Sequence, residues 1–309
     1  ATGDAERPLV FRSARGEKVW IDGCQRQMRN GFCLFHKKHV IVDYFHFKWQ
    51  QDHSTGAGIL LRNSESVRLS RCFYDGRGKG YSPPFVKAFS CRKLSVDNSF
   101  LTRGFSGSLF QSCPDLHVRN TVFYINQLSS IGLQNKAGEK ALFEKNIVVD
   151  NTLQKLPNPL YVMRDAASLE ERDNCYYLRI SPDMKTMIGY SYYNDEQLPM
   201  KPAVDGQDIL SQQWRRQGRF CREMSTYAQF LQRTGRQGNA VFVDPQMQAL
   251  PKLITFKDWE DWLGFSRYRA QHSRDEYHGN DELDFPDFFT GNPELRARGI
   301  GLQQELFRN

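Results

Sequence analysis

The feature that most constrains this chain is a run of look-alike segments between about Gly31 and Tyr177. Six stretches can be laid over one another: FCLFHKKHVIVDYFHF, ILLRNSESVRLSRCFY, VKAFSCRKLSVDNSFL, LFQSCPDLHVRNTVFY, GLQNKAGEKALFEKNIVV and YVMRDAASLEERDNCYY. Their aligned core positions Val42, Leu69, Val96, Val118 and Phe143 are spaced 27, 27, 22 and 25 residues apart. A period in the twenties, made of short alternating strands without helical patterning, is the sign of a solenoid. Stacking then fixes the fold, and the loops of unequal length carry the function.

Each coil reads as two or three short strands joined by turns. In the first strand, alternation points Leu34, Leu61, Ala88, Phe110, Leu133 and Val162 inward. Their neighbours Cys33, Leu60, Lys87, Leu109, Gly132 and Tyr161 point outward, as do Phe35, Arg62, Phe89, Gln111, Gln134 and Met163. Two places past the inward residue come His36, Asn63, Ser90, Ser112, Asn135 and Arg164. Asn and Ser tolerate left-handed geometry and bond local backbone, so a coil-to-coil ladder is expected there. The second strand turns Val40/Val42, Val67/Leu69, Leu94/Val96 and Leu116/Val118 inward, and Phe73, Phe100, Val122 and Ile147 are expected to close the interior. His46 falls in that last column and reads as a core or turn histidine rather than a catalytic one.

Arg7–Gly23 reads as one more coil. A solenoid's first rung needs covering, and none of the sequence before it looks like a cap, so a missing N-terminal part or a partner is expected there. After Tyr177 the regularity decays. Ser225–Gly235 reads as a short helix with Ser225 as N-cap, Phe230 and Leu231 on its apolar side and Gly235 as its stop. Trp259, Trp262, Phe265 and Tyr268 recur at helical spacing. The division is thus coils over 1–180 and an extension over 181–309 that packs on or caps them.

The 309 residues are 39% hydrophobic, enough for a large core. There is no run of 18 apolar residues, so no membrane span is expected. A net charge of +7 favours acidic partners. The basic residues are scattered and no nucleic-acid-binding motif appears, which leaves a nucleic-acid reading with charge alone. Seven cysteines include no CxxC or zinc spacing. Cys91 and Cys113 occupy equivalent places in adjacent coils, where they would either form a disulfide or stack as small hydrophobes.

Three stretches then carry a family resemblance. Arg7–Gly23 is similar to the coil that commonly opens the repeat region of right-handed parallel β-helix repeat proteins of the pectate-lyase-like superfamily. Asn239-Ala-Val-Phe-Val-Asp244-Pro245 is similar to their late motif after a short helix, and Gly291–Gly301 to their closing motif, with Asn292 where Ser is usual. The resemblance covers most of the chain. It implies an all-β, right-handed parallel β-helix with a less regular C-terminal extension containing short helices. It also implies a polysaccharide-related role, and location outside the cytoplasm, secreted or periplasmic, although Ala1–Glu6 lacks the make-up of a signal peptide.

On such a scaffold the outward first strands form a ramp walled by loops. The richest loop is Asp75-Gly-Arg77-Gly-Lys79-Gly-Tyr81-Ser-Pro-Pro, with a carboxylate, two cations and a phenol among three glycines. Beside it Lys87 projects outward, with Arg62 one coil below and Arg103 on the next loop. Like charges would lower its pKa and make it a usable base. That is the chemistry of a polysaccharide lyase acting on an acidic glycan. A base removes the proton alpha to a uronate carboxylate while cations, or Ca²⁺, neutralise the enolate. In this reading Lys87 is the base, Arg103 and Arg62 hold the carboxylate, Tyr81 is the acid and Asp75 completes the set. Arg77, Lys79, Gln111, Gln134, Tyr161 and Arg164 bind substrate. No cofactor is required with certainty; Ca²⁺ and any metal ligands are left open.

Two other classes stay open. A glycoside hydrolase needs carboxylates about 5–5.5 Å apart for retention or about 6.5–9.5 Å for inversion; Asp52 with Asp75, or Asp150 with Asp165, are the available pairs. A non-catalytic glycan-binding surface would use Trp49, Phe105, Tyr124 and Tyr161 as platforms and the basic residues to read acidic groups.

Overall fold

The computed structural model describes residues 2–14, 17–23, 29–48, 56–76, 83–102, 104, 106–124, 126, 129–136, 138–149, 158–163, 168–177, 190–193, 222–225, 227–247 and 285–307. Within them the chain winds as a right-handed parallel β-helix. A full coil contributes three strands, as in Asn30–Phe35, Lys38–Asp43 and His46–Lys48, followed by Ala57–Arg62, Glu65–Ser70 and Phe73–Asp75. First strands stack into a ramp sheet running from Asn30–Phe35 to Tyr190–Tyr193, where Arg222–Ser225 adds an antiparallel strand. Second strands form a middle sheet from Leu9–Arg12 to Leu169–Arg172. Third strands form the last sheet, from Trp20–Asp22 to Cys175–Tyr177. Arg7–Gly23 thus supplies strands to two sheets, as its reading as a coil requires.

The repeat alignment is the strand register. Val42 pairs with Leu69, Leu69 with Val96, Val96 with Val118 and Val118 with Phe143. Leu34, Leu61, Ala88, Phe110 and Leu133 stack likewise, and all are buried in one continuous core. Each fully buried side chain of this size contributes about 1.5–3 kcal/mol, so the central columns hold the coils together.

His36, Asn63, Ser90 and Ser112 adopt φ of 48–54°, the left-handed turn expected of them. Asn135 does not; it is buried and turns its side chain to Cys113, accepting from its N–H and donating to its carbonyl. That links two coils at the expected place, and further side-chain ladders run elsewhere. One passes through Thr121, Asn146 and Asn174: Asn146 Oδ1 accepts from Thr121 N, and Asn174 Oδ1 from Asn146 N, each at 2.9 Å.

The third strands correct the sequence reading. Phe73, Phe100, Val122 and Ile147 do not close the interior; Phe47, Tyr74, Leu101, Phe123 and Val148 do. The first set faces outward and is buried in a second cluster with Phe285, Phe288, Leu295, Ile300 and Leu302 from the C-terminal segment. His46 lies in this outer layer, buried and stacked on Phe73 at 5.4 Å between ring centroids. These strands have three residues, too few for alternation to fix a face, and a one-residue slip exchanges inside and outside.

The C-terminal segment is a strap that runs back along the stack. The Arg298 guanidinium reaches Asp173 at 2.6 Å, Gly301 N–H bonds to Lys145 O at 2.8 Å and Asn120 Nδ2 donates to Gly299 O at 2.7 Å. Further back, Gln303 N–H meets Asn98 Oδ1, and Arg71 donates to Leu306 O at 2.9 Å. Arg71 also donates to Asp43, which is buried. Burial alone would push that carboxyl up, but hydrogen bonds from Arg71 and Arg12 hold it below the ordinary value.

The strap begins where two sequence motifs meet. Asn292 caps a short helix, Pro293–Ala297, accepting from Glu294 N and Leu295 N, and its Nδ2 donates to Asp244 O at 2.9 Å. Thr290 Oγ1 donates to Pro245 O. Val241 bridges in parallel to Cys175 and continues the last sheet.

The helix expected near Ser225–Gly235 spans Tyr227–Thr234, with Gly235 at φ +64° as its stop. Ser225 ends a strand instead of capping it. Tyr227 from this helix meets Glu171, the one carboxylate in the inward column, which pairs with Phe143. Glu171 accepts from Tyr227 OH at 2.5 Å, Asn174 Nδ2 at 2.6 Å and Tyr176 OH at 3.1 Å. Burial nevertheless raises its pKa. Its protonated form is therefore favoured by folding. The associated stability is fully present below the free carboxyl value of about 4.3 and is lost as pH rises through the raised folded value. Thermal melts across a pH series should show this slope in the wild type and not in Glu171→Gln; equal slopes in both would remove Glu171 as its source.

Candidate functional site

The outer face of the ramp sheet carries two parallel columns of side chains. Lys87 is held between its register partners Leu60 and Leu109. Leu60 is 9% exposed, although it faces outward. Gly132 comes next in the column, and its missing Cβ leaves room for Leu109, whose Cδ1 would lie 2.9 Å from one. An ammonium flanked by two leucines is poorly hydrated. Burial lowers the Lys87 pKa; of the like charges expected beside it, Arg103 lies outside the described residues.

The adjacent column reads Phe35, Arg62, Phe89, Gln111 and Gln134 in register. The Arg62 guanidinium carbon lies 5.9 Å from the Phe35 ring centroid and 5.4 Å from that of Phe89. The two rings occupy its faces and leave its in-plane N–H fork to the outside. Arg62 and Phe35 are exposed, and among the described residues Arg62 has no carboxylate partner. Strand spacing of about 4.8 Å places Arg62 roughly 8 Å from Lys87 between backbones, one coil across and two residues along. The sandwich was legible in the sequence as an aromatic–Arg–aromatic series at one offset from Leu34, Leu61 and Ala88. Its rings went unremarked there because alternation reports direction and not stacking.

Asp75 is placed differently. It ends the strand Phe73–Asp75 in the last sheet, between Lys48 and Thr102, and is 6% exposed. The strands alone do not bring it onto the ramp; residues 77–82 intervene. Arg77, Lys79 and Tyr81 on that loop lie outside the described residues, as do Arg103 and Arg164. The strand bearing Tyr161 pairs it with Gly132, while its side chain is outside the described ones. Asp52, Asp150 and Asp165 of the hydrolase pairs are outside too, with Trp49, Phe105 and the stripe Trp259–Tyr268. Tyr124 is no exposed platform: it is 8% exposed and lies in the cluster beneath the strap with Phe288.

Among the described residues, no three His, Cys, Asp or Glu side chains converge to hold a metal ion. The described side chains therefore do not fit a carboxylate-built Ca²⁺ site. No described helix is long and apolar enough to cross a membrane. The architecture defines a parallel β-helix with a continuous ramp sheet. No protein-family model matches the chain, and no curated protein matches it either.

Proposed function

We propose that the chain is a carbohydrate-active β-helix, akin to the pectate-lyase-like proteins, that binds an acidic polysaccharide along the ramp sheet and cleaves it by β-elimination. The observation that carries this reading is the placing of a half-buried lysine near a stacked arginine fork on one outward face. A lysine with lowered pKa is neutral in a larger fraction near neutral pH and can accept the proton alpha to a uronate carboxylate. Arg62, with its fork turned outward, holds that carboxylate and gains strength as charge develops on it. Phe35 and Phe89 keep the fork in place, and the amides of Gln111 and Gln134 offer donors and acceptors to sugar hydroxyls further along the ramp. Such a role fits a protein acting outside the cytoplasm.

The test is binding of a polyuronate and of the same polymer with its carboxyl groups reduced. Charge-assisted bidentate bonds are worth about 1.5–3 kcal/mol. Arg62→Lys should accordingly weaken polyuronate binding by about 10- to 100-fold with unchanged melting temperature, because an ammonium cannot reproduce the planar fork. The reduced polymer should bind the wild type as weakly. Equal binding of both polymers would refute the acidic-glycan reading.

A further inference from the structure

We propose that Cys91 and Cys113 are a redox pair, a dithiol in this structure that a peroxide converts into a disulfide joining two neighbouring coils. The inference does not rest on the glycan reading. Both thiols are free here and both are buried. Their alignment follows from the strands on either side. Phe89 pairs with Gln111 and Ser95 with His117, each offset by 22 residues, and Cys91 and Cys113 carry the same offset. Parallel neighbours in register are separated by about 4.8 Å, inside the range of about 4.4–6.8 Å between the α-carbons of disulfide-bonded residues. The Cys113 thiol reaches across to the neighbouring coil, 3.6 Å from Ala88 O, and both side chains are buried in the same core.

The chemistry of the two sulfurs differs in the sense that exchange requires. The neighbouring Cys113 side chain lowers the Cys91 pKa and so favours its thiolate, while the same contact and burial push Cys113 up. Burial pushes Cys72 and Cys175 up to about 12, which leaves them inert. Cys91 also lies directly beneath a surface turn, next to the exposed Ser90. Its thiolate attacks one peroxide oxygen, forming a sulfenic acid and releasing hydroxide, which takes up a proton. The Cys113 sulfur then attacks the sulfenic sulfur, loses its proton and expels the second oxygen as water. Two thiols are oxidised by two electrons, and one peroxide becomes two waters. The bond closes two residues beyond Phe89 and Gln111, tying together the third and fourth ramp strands.

The experiment is brief treatment of the full chain with hydrogen peroxide, followed by intact mass, peptide mapping and a thermal melt. Expected is a loss of two hydrogens, a peptide linking Cys91 to Cys113, and a melting temperature raised by several degrees. A thiol reductant should reverse all three. Cys113→Ser should lose the link and leave a sulfenic acid on Cys91 that dimedone traps. Oxygen addition at Cys91 without a link in the wild type would overturn the proposal. So would an unmodified Cys91 under conditions that oxidise the exposed Cys33.

Discussion

Lys87→Ala should lower turnover of a polyuronate by about a hundred- to ten-thousand-fold, the usual worth of a positioned general base. Its melting temperature should stay close to wild type. The side chain points outward, its strand is held by Leu60 and Leu109 on either side, and the inward neighbour Ala88 belongs to an intact core column. Lys87→Arg is the sharper control. It keeps a cation on the ramp, but a guanidinium does not give up its proton in this range, so activity should be lost while binding persists. The pH profile carries the same claim: burial lowers the Lys87 pKa, so the rising limb should lie below the ordinary lysine value of about 10.4. Initial rates retained in Lys87→Ala would remove it from the mechanism.

The second large effect concerns stability. Phe288→Ala should cost about 3–5 kcal/mol, which corresponds to a fall in melting temperature on the order of 10 °C. Phe288 is fully buried, stacks on Phe100 and lies within 6.0 Å of the Phe73 ring centroid. Its removal opens a cavity over two adjacent coils at once. The strap is also fastened along its length beyond that point, through Asp173, Lys145, Asn120, Asn98 and Arg71. The surrounding residues are therefore poorly placed to collapse into the gap. Phe11→Ala, at a site 37% exposed on the first rung, should change the melt little. A melting temperature unchanged in Phe288→Ala would mean that the strap is not integral to the fold.

How legible the molecule was depended on strand length. In the six-residue strands around Leu34, Leu61 and Val42, alternation left one arrangement that buries the aliphatic side chains, and the aligned positions pair as the repeats imply. The three-residue strands lacked that information. Phe73-Tyr74 offers two aromatic residues for one interior place, and the choice is made by Phe285 and Phe288, which arrive from more than 200 positions away. The same long-range packing hid the outer places of His46 and Tyr124. Glu171 was hidden for another reason: an inward carboxylate contradicts the pattern unless Tyr227, Tyr176 and Asn174 come to meet it. On the ramp, direction was readable for Lys87 and Arg62. What surrounds them was not: the sequence pointed to neighbouring cations as the cause of the lysine's lowered pKa and gave no sign of its burial between Leu60 and Leu109.

The most direct test of the central claim is the chemistry of the ends produced when the protein is incubated with polyuronates. Products read by mass spectrometry and by ultraviolet absorbance should carry unsaturated sugar ends, formed by wild type and not by Lys87→Ala. Saturated ends, carrying the mass of an added water, would contradict β-elimination and move the chemistry to carboxylates.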